Sequence, residues 1–150
     1  MFSSESIHGF GGIFFGMTPD EVAEYGSFEP ADDKGWSKSL DLVVVLGRGY
    51  NQYLKFEDKM LVTISLTRAF DATDDLCLEE FDDVFAAIKA NYGPTDQAPS
   101  LKPLETSGGR GKMVASFTAR DTSKVTATAY LLLECVINVK YTAASGGASF

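Results

Sequence analysis

Gly16-Met17-Thr18-Pro19-Asp20-Glu21-Val22 spells out the start of a helix almost in full. Thr18 can accept hydrogen bonds from the first free amide groups, and Pro19 stands at the first helical position, where its missing N–H costs nothing. Glu21 is spaced to close a capping box with Thr18, and both acids put negative charge on the positive end of the helix dipole. The reading predicts a short helix over Pro19 to Tyr25, stopped by Gly26 and preceded by a strand within Phe10 to Phe15. The signal is architectural. It brings no nucleophile, metal ligand or phosphate cradle.

Working outward, Glu29 to Ser39 reads as a polar loop that carries Trp36. Leu40 to Leu46 reads as a strand, and its Val43-Val44-Val45 run predicts burial on both faces. Gly47-Arg48-Gly49 is a turn, Tyr50 to Phe56 a strand, and Glu57-Asp58-Lys59 a hairpin connection. In Leu61 to Thr67, Val62, Ile64 and Leu66 alternate with Thr63 and Ser65, the pattern of a half-buried strand.

A second helix is the clearest element. Phe81, Val84, Phe85, Ile88 and Tyr92 form one apolar stripe at helical spacing. Acids load its first turns, Lys89 comes late, and Gly93-Pro94 ends it. Thr95 to about Gly111 reads as a long loop rich in Pro, Ser and Gly. Lys112 to Arg120 then forms a strand, Asp121-Thr122-Ser123 turns, and Val125 to Thr142 continues without Gly or Pro. That last run is too long for one straight strand, which predicts a bend or bulge near Glu134-Cys135. Met1 to His8 and Ala143 to Phe150 read as frayed ends.

The expected architecture is a single α+β domain over residues 1–150: an antiparallel sheet of about five to seven strands packed by two helices on one face. The halves read as a weak tandem helix-plus-sheet repeat, each with a helix ending in Tyr-Gly (Tyr25-Gly26 and Tyr92-Gly93).

At 150 residues the chain can bury a core without a metal or disulfide staple. Its formal charge of −8 argues against nucleic acid and anionic membrane as partners, and fits a soluble surface or a basic protein partner. No apolar run is long enough to insert into a bilayer. The N-terminus carries no signal peptide, so the expectation is a cytoplasmic protein, or a periplasmic one if a signal has been removed. Cys77 and Cys135 lack CxxC spacing and read as free core residues; a disulfide in an oxidising compartment is the alternative.

The helix start also carries a resemblance. Gly16, Met17, Thr18 and Val22, with Gly26 closing the helix, resemble the Gly-Met-Thr-x-x-x-Val start of small bacterial domains of the SmpA/OmlA lipoprotein kind. The β-lactamase inhibitor proteins share that helix-and-sheet repeat. Gly12 to Val22 is also similar to the Gly-Ile-x-x-Gly-Met-Thr-x-x-Glu-Val string of little-characterised bacterial proteins, some immunity-like. The match covers the helix start strongly and the rest by element order, and a lipobox cysteine is missing. The resemblance implies a non-enzymatic domain that binds another protein.

No catalytic, cofactor-binding or metal-binding residues are assigned. His8 is the single histidine and lies near the chain end, so no His-based metal cluster or nucleophile–base pair is expected. Gly108-Gly109-Arg110-Gly111-Lys112 fails the P-loop string, since Met113 follows the lysine and no helix comes next. Asp71 to Asp83 holds seven acids without calcium-loop spacing, and reads as a solvated helix face or a patch for a basic partner. Partner-binding candidates are Trp36, Tyr50 and Tyr53 as anchors and Asp74, Asp75, Glu79 and Asp82 as the charged patch. Two rival readings are a ligand pocket or enzyme site between the sheet and the Thr95 to Gly111 loop, and a structural subunit of a homo-oligomer such as a homodimer.

Overall fold

The computed structural model describes residues 7–71, 76–93, 101–103, 111–131 and 134–144. A small hairpin of β1 (Gly9–Phe10) and β2 (Ile13–Phe14) leads to helix α1 (Pro19–Val22), which runs on as a 3-10 turn, Ala23–Tyr25. The capping box is present: Thr18 Oγ1 accepts from the Glu21 amide at 3.2 Å, and Glu21 Oε1 accepts from the Thr18 amide at 3.0 Å. Just before it, the Gly16 amide donates to the Leu61 carbonyl and the Leu61 amide to the Met17 carbonyl. These bonds fix the helix start at the end of the main sheet, and Val22 enters the core.

The main sheet is antiparallel throughout. Its strands are β3 (Phe28–Pro30), β4 (Trp36–Ser39), β5 (Val43–Val45), β6 (Arg48–Glu57), β7 (Met60–Asp71), β8 (Leu101–Pro103), β9 (Gly111–Thr118), β10 (Lys124–Leu131) and β11 (Glu134–Thr142). They lie in the order β3-β4-β6-β7-β11-β10-β9-β8, with β5 paired to β6 as an extra edge strand. The sheet is therefore wider than the five to seven strands expected. The connectivity is symmetric: each half is a helix followed by a meander, and the last strands of the two meanders, β7 and β11, meet at the centre over Glu134↔Asp71 to Thr142↔Thr63.

Helix α2 (Leu76–Tyr92) packs on β9, β10 and β11 with its predicted stripe inward. Phe81, Val84 and Ile88 are buried, Phe85 meets the Phe117 ring, and Tyr92 packs at the margin. Ala115, Ala127 and Ala129 on the strands beneath have no bulk, so the helix can approach closely. Cys77 and Cys135 are joined in a disulfide that ties the first turn of α2 to β11, Cα to Cα 6.3 Å. The two are thus not free core cysteines.

Further corrections concern strand placement. The segment read as a polar loop contains β3 and β4, because Glu29 and Trp36 to Ser39 find ladder partners on neighbouring strands. Within the valine run Val44 is 70% exposed, since β5 is a sheet edge with one face to solvent. The region beyond Thr95 includes β8, paired with β9. The predicted break near Glu134 separates β10 from β11, which pair as a hairpin from Leu131↔Cys135 outward.

Candidate functional site

Two groups of side chains on opposite faces of the sheet carry the chemistry of this molecule. The alternation of strand side chains sends Leu54, Ile64, Leu66, Ile137 and Val139 toward α2. The opposite phase carries Tyr53, Ser65, Thr67, Asn138 and Tyr130, and among the described residues no helix covers it.

The open face is built from the edge inward. Asp32 Oδ1 accepts from the amides of Lys34 and Trp36, folding the turn that delivers β4. Gly35 sits at φ 97° with its Cα against the Phe56 carbonyl, where a β-carbon would come within 2.6 Å of that oxygen. Trp36 then pairs with Lys55 and Lys38 with Tyr53. Each lysine ammonium lies over the ring opposite it, Lys55 at 5.8 Å from the Trp36 centroid and Lys38 at 6.0 Å from that of Tyr53. Farther in, the Asn138 amide donates to Ser65 Oγ at 2.7 Å, locking the middle of the face. A shallow cleft of about 450 Å³ runs from Trp36 and Tyr53 across to Tyr130 and Lys140. Among the described side chains this face holds Lys38, Lys55, Lys124 and Lys140; its carboxylates, Glu29 and Glu57, stand at the rim, Glu57 3.5 Å from Lys55. Among the described side chains it is cationic, on an acidic chain.

The covered face holds an ionic cluster built on one buried carboxylate. Glu80, on α2 and 3% exposed, accepts a hydrogen bond from the Tyr50 hydroxyl. Arg48 Nε lies 3.0 Å from its other oxygen, and Arg48 also reaches Asp83 at 3.7 Å. Arg68 Nε is 3.4 Å from the carboxylate, close enough for attraction but without hydrogen-bond geometry. The Arg68 guanidinium is held instead by the Gly49 carbonyl at 3.1 Å and the face of Phe70. Burial, and then the bond to Glu80 and its charge, push the Tyr50 phenol far above its ordinary range. Burial likewise raises Tyr141 and Tyr92.

Of the residues predicted for a partner site, Trp36 and Tyr53 are brought together on the open face. Tyr50 is fully buried on the other face and serves Glu80. Glu79 and Asp82 are exposed on α2, across the sheet from Trp36. Asp74 and Asp75 lie outside the described residues, as does most of the loop proposed to close a ligand pocket. Glu80, read with the solvated acids, is the buried exception. Its position one turn from Cys77 and beside Phe81 on the apolar stripe was the available signal. The sequence reading missed Tyr130, Asn138 and Lys140, whose phase along β10 and β11 places them with Tyr53.

Among the described residues no group of His, Cys, Asp and Glu is arranged to hold a metal ion. No helix there is long and apolar enough to cross a membrane. No protein-family model, curated protein or solved structure matches this chain.

Proposed function

We propose that this is a non-enzymatic binding domain that docks another protein on the open face of its sheet. The observation that carries the reading is the cleft lined by Trp36, Tyr53 and Tyr130 with lysines set among the rings. Aromatic anchors on a rigid sheet present large contact area at little entropic cost, the usual core of a protein interface. Lysines in excess over carboxylates among the described side chains of that face favour an acidic partner segment, and would speed its encounter. A basic partner steered by the acids of α2 is less well served, because those acids and the aromatics point in opposite directions. The immunity-like or envelope accessory role rests on the resemblance of the Gly16 to Val22 helix start to SmpA/OmlA-type and β-lactamase-inhibitor-like domains. The buried Cys77–Cys135 bond supports an oxidising compartment.

The test is a paired capture experiment in cells that make the protein. Tyr53→Ala combined with Lys140→Glu is expected to abolish recovery of the partner held by the unmodified chain. Glu79→Lys combined with Asp82→Lys is expected to leave it intact. The reverse pattern would place the partner on α2 and overturn the reading.

A further inference from the structure

The edge strand β5 carries a feature that partner docking on the open face does not use. Leu42-Val43-Val44-Val45-Leu46 reads the same in both directions. β5 pairs with β6 on one side only, through Val43↔Tyr50, Val44↔Gly49 and Val45↔Arg48. The hairpin between them has two residues, Leu46 at φ 53° and Gly47 at φ 80°, the type I′ geometry in which the flanking Val45–Arg48 pair exchanges both hydrogen bonds. By the alternation of an antiparallel ladder, the N–H and C=O of Val44 then point away from β6, toward the free edge. No described residue bonds to them there.

The side chains agree with the backbone. Leu42 is 61% exposed, Val44 70% and Leu46 49%. Leu42 lies over Gly49, where a β-carbon would meet its Cδ1 at 2.8 Å, so the ridge stands on the same face as Tyr53. Nature usually guards such an edge with charge, proline or a bulge. Here the five residues are uncharged, and the charges fall at the ends: Asp41 before the strand, Arg48 after it.

We infer that β5 is the contact of a twofold homodimer, in which β5 of one chain pairs antiparallel with β5 of a second copy about Val44. The palindrome puts Val44 opposite Val44, Val43 opposite Val45 and Leu42 opposite Leu46, so one strand supplies both halves of an isologous interface. The antiparallel direction brings the Asp41 end of each copy to the Arg48 end of its mate, which a parallel pairing would not do. Arg48 is bonded to Glu80 from within yet keeps 42% of its side chain exposed. An unrelated strand would satisfy the backbone of Val44 but would need this same leucine–valine spacing and end charge; the chain already has both. The result is one sheet running through two molecules, with the open faces side by side.

Sedimentation of the full chain over a range of concentrations tests this. A reversible monomer–dimer equilibrium is expected. Val44→Lys sets two like charges on the twofold axis and is expected to weaken the dimer on the order of a hundredfold or more. Val44 is exposed, so the far-ultraviolet circular dichroism and thermal midpoint of the monomer should not change. Val44→Cys is expected to cross-link into a covalent dimer under mild oxidation, since directly opposed residues in such a ladder lie within disulfide reach. A chain that stays monomeric at every concentration overturns the inference, as does a dimer that Val44→Lys leaves intact. A monomer that takes up a strand from a different protein at β5 overturns the choice of a second copy.

Discussion

The two faces of this sheet are made by the same strands, one residue out of phase, and they do opposite work. The covered face is closed by α2, stapled by Cys77–Cys135 and filled with Phe81, Ile64, Ile137 and Val139. Its polar groups, Tyr50 and Glu80, are buried with partners. The open face carries Ser65, Thr67 and Asn138 in its floor, with Trp36, Tyr53, Tyr130 and lysines standing above. The difference teaches where stability resides: loss of a side chain on the covered face should destabilise the fold, and loss on the open face, the proposed docking surface, should cost little stability.

The largest effect is expected at the staple. Replacing Cys77 and Cys135 by serine reopens a loop with a sequence separation of 58, and should cost about 4 kcal/mol in the denatured-state entropy model. Urea unfolding with and without reductant measures it; a midpoint indifferent to reductant would remove the disulfide from the account of this face. Next comes Glu80→Ala, which strands Arg48, Arg68 and the Tyr50 hydroxyl around an empty site. Breaking such a cluster from one side should cost about 3 kcal/mol, at the lower end of the usual range because both arginines are partly exposed. If Glu80→Ala is no more damaging than Asp82→Ala, the cluster is not structural.

A smaller effect is expected in alkali. Tyr50, Tyr92 and Tyr141 all have phenols raised above the ordinary value of 10.0, so the folded state holds these protons more tightly than the unfolded chain. Their contribution to stability is complete below pH 10 and is lost as pH rises through the folded values. Unfolding midpoints should therefore fall on going above pH 10, and Tyr50→Phe should flatten that fall. The smallest effect on stability belongs to the open face. Tyr53→Ala should cost no more than about 1 kcal/mol, the scale of a cross-strand pair, while abolishing capture if the proposed docking holds. A large destabilisation by Tyr53→Ala would erase the contrast between the faces.

The helix elements were legible because their signals are local. Thr18, Pro19 and Glu21 are neighbours in sequence and neighbours in the capping box, and the stripe from Phe81 to Tyr92 needs only a helical period. The strands around Trp36 were not legible, because a short polar strand is recognisable only by the ladder it joins, and β6 supplies that ladder from beyond two turns. The valine run misled for the same reason: composition signals a strand but not whether that strand lies at the centre of the sheet or at its edge. Tyr50 and Tyr53 look alike in sequence, yet three positions of alternating phase put them on opposite faces.

What the sequence by itself determined is the set of elements with short-range causes: the capped first helix, the amphipathic second, the turns at Asp58-Lys59 and Asp121-Thr122-Ser123, and an antiparallel α+β class. Only the tertiary structure decided which face α2 covers, that Cys77 meets Cys135, that Glu80 is buried among two arginines and a tyrosine, and that β5 ends up at an edge. Those outcomes depend on contacts between residues far apart in the chain. Their energies are set by who is brought alongside, which no local period or spacing encodes.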